Sequence, residues 1–200
     1  MSSWLDVALL AVLIVLNGVF AMSEISLVTS RRARLQRLID DKVAGAERAR
    51  ELNADPNRAL STIQVGITSI GILSGIVGES ALARPMEAFL VMVGLSPETA
   101  KAIGLFVVVV LITYFSIVMG ELVPKRIGQI SPERIACRLA PPIHCLSIIA
   151  APFVKLLSAS THLLLKRLGI SETQGSSVTE EEIHAMIEEG QESGVIETAE

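Results

Sequence analysis

Apolar residues in this chain gather into long runs instead of alternating with polar ones at the period of a surface helix or a half-buried strand. The runs cover residues 5–28, 60–78 and 102–123, and each is long enough to cross the hydrocarbon core of a bilayer as a helix. The first rises roughly 36 Å at 1.5 Å per residue, enough to span with tilt. Trp4 stands at one end as an interfacial anchor, and Arg31, Arg32, Arg34 and Arg37 follow the other. Basic residues collect on the cytoplasmic side, so the N-terminus is expected outside and the arginines inside. Asp6 occupies the place where a secretory signal would carry basic charge, and the run therefore reads as a retained helix.

Residues 31–55 are mostly polar, with Leu35, Leu38 and Ile39 on one helical face, which predicts an amphipathic juxtamembrane helix at the lipid surface. Asp55-Pro56 resets the chain. The second run looks broken, because Glu79, Arg84, Pro85 and Glu87 interrupt it before apolar sequence resumes from Ala88 to Val93. Its small and polar residues Ser61, Gln64, Thr68, Gly71, Gly75 and Gly78 recur at steps of three and four. Such a stripe brings helix backbones together or exposes oxygens to a cavity. Ser96-Pro97 signals the next helix start, and Pro124-Lys125-Arg126 the end of the third crossing, back in the cytoplasm.

The stretch 139–168 is also apolar, but Pro141, Pro142 and Pro152 interrupt it, and His144, Lys155, His162 and Lys166 are scattered through it. Helices that re-enter or lie along the cytoplasmic face are expected there, since a fourth crossing would carry Lys166 and Arg167 outside. Ser171 to Ser177 reads as a polar linker, and Thr179 onward as an acidic cytoplasmic helix. The expected architecture is an all-α membrane protein. A transmembrane domain over 1–170 contains three spanning helices, and 171–200 form a linker and helical segment.

Composition agrees: 50% of residues are hydrophobic, 19% are charged, and the mean hydropathy is +0.55. The net charge of -4 comes mainly from the acidic tail and says little about partners. Cys137 and Cys145 have neither CxxC spacing nor a histidine cluster, so both are expected free. Aromatic residues make up only 4%, and no basic stripe carries stacking platforms, which removes support for nucleic-acid binding.

Chemistry is expected where the spans carry oxygens. An ionisable group at membrane depth is costly, so Glu24 and Glu121 mark an ion or substrate pathway. Asn17 lies seven residues before Glu24 on the same face, with Ser23 beside it. Thr113, Ser116, Gly120 and Glu121 fall near one face of the third span. Pro124 clashes with the carbonyl four residues earlier, that of Gly120, and frees it to act as a ligand. A dehydrated divalent cation such as Mg²⁺ needs oxygen ligands in near-octahedral array, and carboxylate, hydroxyl and broken-helix carbonyl are the inventory a membrane protein can offer. The blander alternatives are a Glu121–Lys125 pair at the interface, Ser23 bonding back to its own helix, and close packing for the second-span stripe, in which Gln64 and Thr68 best suit a site. His144 and His162 lack metal-ligand spacing. No nucleophile with a base is visible, so an enzyme is not expected.

These residues resemble the transmembrane domain of the CNNM/CorC (cyclin M and hemolysin-like) magnesium transporters. The resemblance rests on Asn17-Gly18-Val19-Phe20-Ala21-Met22-Ser23-Glu24, on Leu60-Ser61-Thr62-Ile63-Gln64-Val65-Gly66-Ile67-Thr68, and on Gly120-Glu121-Leu122-Val123-Pro124-Lys125. It implies a homodimer in the inner membrane, three spans per protomer, an inward-facing cavity and a dehydrated Mg²⁺ site, with export driven by Na⁺ entry. It also implies regulatory ATP-binding CBS domains following the acidic segment. Ser23, Glu24, Gly120 and Glu121 are the implied metal site. Asn17, Gln64, Gly66, Thr68, Ser116, Pro124 and Lys125 are further candidates for the cavity or gate. Many relatives carry asparagine in the second motif where this chain has Ile67 and Thr68, and relatives with a similar Gly-Ile-Thr include proteins implicated in polyamine export. A polyamine exporter and a non-transporting anchor or sensor therefore stand as rival readings.

Overall fold

The structure is a computed structural model, and it describes residues 3–169. The residues described are almost entirely helical, with no strand among them. The segment over 171–200 lies outside the described residues. The chain divides into a unit over Met1–Leu156 and a second beginning at Leu157.

Helix α1 spans Ser3–Thr29. Two short helices follow, α2 over Arg32–Asp40 and α3 over Ala46–Ala54. The juxtamembrane stretch expected as one amphipathic helix is thus two. Lys42 adopts a left-handed conformation, and the N–H groups of Lys42 and Val43 donate to the carbonyls of Ile39 and Leu38. This Schellman closure ends α2, and Gly45, also left-handed at φ +80°, begins α3.

Helix α4 (Pro56–Gly78) starts as the sequence predicts, with Asp55 accepting from the Arg58 N–H at 3.4 Å and Pro56 in the first turn. A π-helical turn over Glu79–Ala83 leads into α5 (Arg84–Met92). Helix α6 (Pro97–Ile117) is capped by Ser96, and a second π turn over Val118–Leu122 leads into α7 (Val123–Ile130). Helix α8 covers Pro132–Arg167.

Both π turns have one cause. Arg84 donates to the Glu79 carbonyl and Val123 to that of Val118, each five residues back, and each donor immediately precedes a proline. Proline cannot donate and crowds the carbonyl four residues earlier. One extra residue in the turn absorbs that crowding, and the helix continues. The polar interruption at Glu79–Pro85 is therefore a wide turn inside one helix, Pro56–Met92. The third helix likewise passes Pro124 and ends at Ile130.

Among the described residues, four helices are long and apolar enough to cross a membrane: Trp4–Thr29, Pro56–Met92, Pro97–Ile130 and Pro132–Arg167. They carry many exposed large apolar side chains, among them Val12, Val15, Phe106, Val109 and Ile149. Lipid covers such surfaces and water does not. The protein is a multi-pass membrane protein. Helix α8 has another feature: its Ala136, Cys137, Ala140 and Ile143 join Leu35, Ala46, Ala49, Leu52 and Ala59 in one buried cluster. The start of α8 is thereby packed on the α2–α3 belt.

Polar bonds complete that belt. Asn53 Nδ2 donates to the Leu27 carbonyl at 2.9 Å, capping the end of α1. The buried Glu133 accepts from the Arg31 N–H at 3.3 Å, and Arg34 approaches it at 3.9 Å. On the exposed face of α3, a 2.7 Å hydrogen bond from Arg48 holds the Glu51 carboxyl below its ordinary range. Both groups are solvated, so this pair does not anchor the fold. Both cysteines are free, Cys137 buried and Cys145 exposed.

Gly45 is the tightest point of the belt. A Cβ there would strike the Cys137 carbonyl oxygen, and its left-handed backbone disfavours any side chain. Gly45→Ala is expected to destabilise the protein by roughly 1–3 kcal/mol. Thermal unfolding in nanodiscs checks this, and an unchanged midpoint would remove the belt's role as a fixed support.

Candidate functional site

Helix α1 is the element against which the site is assembled. It packs on α4, on α7 and on both π turns. Apolar burial gives no drive for helix association within lipid, so close approach through small residues sets the distances. Gly18 faces Pro124: a Cβ there would lie 2.8 Å from Pro124 Cγ and 3.1 Å from the Met119 carbonyl oxygen. At Gly120 a Cβ would lie 3.2 Å from Asn17 Nδ2 and 3.3 Å from the Ile14 carbonyl oxygen. At Gly128 it would strike the Ile25 side chain. These glycines fix the register of α1 against the third helix.

That register decides which polar groups meet. The Gly120 carbonyl, which Pro124 cannot serve as a helical donor, accepts from Asn17 Nδ2 at 3.0 Å. A carbonyl can only accept, so the amide nitrogen must face it, and Asn17 Oδ1 is left buried without a hydrogen-bond partner. Further along both helices, about two turns past Asn17 on α1, Lys125 Nζ lies 2.8 Å from Glu121 Oε1 and 3.4 Å from Glu24 Oε2. Two carboxylates from different helices therefore share one ammonium. Glu24 sits about 7.5 Å from the end of α1, and the cluster lies near the end that leads to the basic segment. All three side chains are partly exposed, which leaves the cluster accessible.

Ser23 is buried beside Glu24, and its hydroxyl donates to the Val19 carbonyl at 2.7 Å. Its oxygen keeps lone pairs that can accept or ligate. Gly66 packs against the Phe20 ring, which a Cβ would approach to 2.9 Å. Gln64 and Thr68 are exposed on α4. Ser116 lies elsewhere, with Thr113, Ser74, Gly71, Gly75 and Glu79 around a cavity of about 290 Å³ between α4 and α6. The π turn at Val118–Leu122 shifts the helical phase between Ser116 and Gly120, so their expected common face divides in two. Nothing lies within 4 Å of a Cβ at Gly71 or Gly75, whereas one at Gly78 would strike the Ile112 side chain, so the stripe is open in its middle and packed at its end.

The Glu24–Lys125 approach was not readable from the sequence, which pairs Lys125 only with Glu121 one turn away. The Asn17–Gly120 bond depends on the same interhelical register. Among the described residues no cluster of three or more His, Cys, Asp or Glu side chains is arranged to hold a metal. Any dehydrated cation here draws on hydroxyl, amide and backbone oxygens beside the two glutamates.

Proline-widened helices, glycine-mediated contacts and carboxylates placed on apolar spans define a polytopic membrane domain. The chain belongs to the CNNM family, the cyclin M transmembrane N-terminal domain, whose model matches residues 8–200. It is similar to the UPF0053 protein sll0260 of Synechocystis sp., 43% identical over 98% of this chain and 44% of that protein. The UPF0053 protein YhdT of Bacillus subtilis is 33% identical over 96% of the chain and 42% of its own length. The polyamine export protein of Escherichia coli is 28% identical over 92% and 41%. The chain spans less than half the length of these relatives.

If the glycine contacts set the register, Gly18→Val forces α1 away from Pro124. The expected loss is roughly 1–3 kcal/mol of stability in nanodiscs, together with a longer Glu24–Lys125 separation. Thermal unfolding and spin-label distances between α1 and α7 check both. Unchanged values would show that another contact fixes the helices.

Proposed function

We propose that the chain is the membrane domain of a secondary cation transporter, with Mg²⁺ as cargo and Na⁺ as the coupling ion for export. One observation carries this reading: Glu24 and Glu121, from separate helices, converge on a common cation, which Lys125 supplies in this conformation. When a transported ion takes that place, the two carboxylates are its donors, and the Ser23 hydroxyl and the Gly120 carbonyl, each next in sequence to one of them, are the candidates to complete its shell, with the Asn17 amide oxygen about two turns away along α1. These are hard oxygen ligands of the kind Mg²⁺ takes, and two carboxylates balance its charge. The cation enters from the cytoplasmic side and leaves outward as the proline-widened helices rearrange.

Topology follows the same proposal. The N-terminus is outside, three helices cross the inner membrane, and the start of α8 lies along the cytoplasmic face on the α2–α3 belt. That packing favours the juxtamembrane placement of α8 over a fourth crossing. A homodimer, and CBS domains in the longer protein, are carried from the family resemblance.

Polyamine export is the second reading. An ammonium group already sits between the carboxylates, and one of the similar proteins is named a polyamine export protein. The same glutamates would then act as counter-charges without inner-sphere coordination.

The test is flux in proteoliposomes loaded with Mg²⁺ or spermidine, with and without a Na⁺ gradient. Wild type is expected to move Mg²⁺ in a gradient-dependent manner, and Glu24→Gln and Glu121→Gln to lose roughly tenfold or more, as removal of a charged partner implies. Spermidine flux without Mg²⁺ flux would select the second reading. Flux of neither, from folded protein, would overturn transport.

A further inference from the structure

We propose that Lys125 is a tethered counter-cation: its ammonium occupies the cargo position between Glu24 and Glu121 in the empty protein, and cargo binds by exchange with it. The inference rests on the transport reading above and deepens it.

The geometry is that of an occupant. Nζ lies 2.8 Å from one carboxylate and 3.4 Å from the other, and no other basic side chain pairs with either glutamate among the described ion pairs. Two carboxylates and one ammonium leave a single net negative charge. A dication added beside the ammonium would place like charges in contact, whereas a dication that replaces it neutralises the pair completely. Exchange is therefore the electrostatically favoured route. The ammonium group of a polyamine would replace Lys125 one charge for one.

The mechanical requirements are also met. Lysine carries a compact charge on a flexible four-carbon stem, so the head can move while its base stays fixed. The base is fixed by the neighbouring Pro124, which is buried and set against Gly18 of α1. The side chain is about one-third exposed, at 34%, and so has a way out of the cluster. Two consequences follow. The empty site then does not hold two bare carboxylates side by side at the edge of the bilayer, a costly state for a carrier to pass through. Cargo affinity is held down by competition from within the chain, which assists release.

Calorimetric titration of Mg²⁺, and separately of spermidine, into the purified protein in nanodiscs tests this with Lys125→Gln, Lys125→Arg and Glu24→Gln. Loss of the internal competitor in Lys125→Gln should tighten binding of the true cargo by roughly tenfold or more. In Lys125→Arg the bidentate guanidinium is a stronger occupant and should weaken it by a similar factor. Added methylammonium should return the Lys125→Gln affinity towards wild type while leaving wild type unchanged. A Lys125 that merely spaces the two glutamates predicts the opposite sign for Lys125→Gln, because unshielded carboxylates repel and spread, and that result overturns the proposal. If Lys125→Gln does not fold, the Lys125→Arg weakening decides alone, and wild-type affinity there overturns the proposal. Wild-type binding that Glu24→Gln abolishes and Lys125→Gln does not tighten removes counter-cation exchange and leaves transport standing. Binding of neither cation by wild type removes both.

Discussion

The contact between the glycine face of α1 and the proline-widened turn of the third helix is the constraint on which the arrangement depends. Pro124 removes a backbone donor and forces the π turn at Val118–Leu122. The widened turn presents the Gly120 carbonyl sideways, and the bare Cα atoms of Gly18 and Gly120 let α1 approach closely enough for Asn17 to reach it. The approach that seats the amide also brings Glu24 to Lys125 and Glu121. Shifting α1 by one residue would rotate Glu24 away by about 100° and leave its charge without a partner.

The polar groups at this junction are incompletely matched, and that is informative. A protein that needed only stability would not bury Asn17 Oδ1 without a donor, nor place two carboxylates against one ammonium at the edge of a bilayer. An unsatisfied acceptor and a net negative charge on the same helix pair suit something positive. The rest of α1, by contrast, is either lipid-facing or packed, with Leu10, Leu13, Phe20 and Leu27 buried, and Ser23 and Ser26 bond back to their own helix.

Much of this was legible in the sequence, because apolar run length and proline placement act locally. The three runs, the Asp55-Pro56 and Ser96-Pro97 starts, and the breaks around Pro85 and Pro124 all follow from backbone chemistry that a single segment carries. Lys42 is where that reasoning stopped: a lysine in a left-handed conformation splits the expected juxtamembrane helix, and no glycine marks its position. Pro141, Pro142 and Pro152 were read as interruptions, yet α8 runs through them. The carbonyl crowded by Pro141 belongs to Cys137 and is directed at Gly45, where the absence of a side chain leaves room for it. At the site, Glu24, Glu121 and the freed Gly120 carbonyl could be read from the chain. The pairing of Glu24 with Lys125 and the donation from Asn17 could not, since both depend on interhelical register.

The most direct test of the account is an electron cryo-microscopy map of the protein in lipid nanodiscs, free of divalent cations and amines, at a resolution that shows side chains. The account predicts density for Lys125 reaching between Glu24 and Glu121 and for Asn17 against the Gly120 carbonyl. A map with Lys125 directed to the lipid headgroups and Glu24 separated from Glu121 by an intact α-helical turn would contradict it.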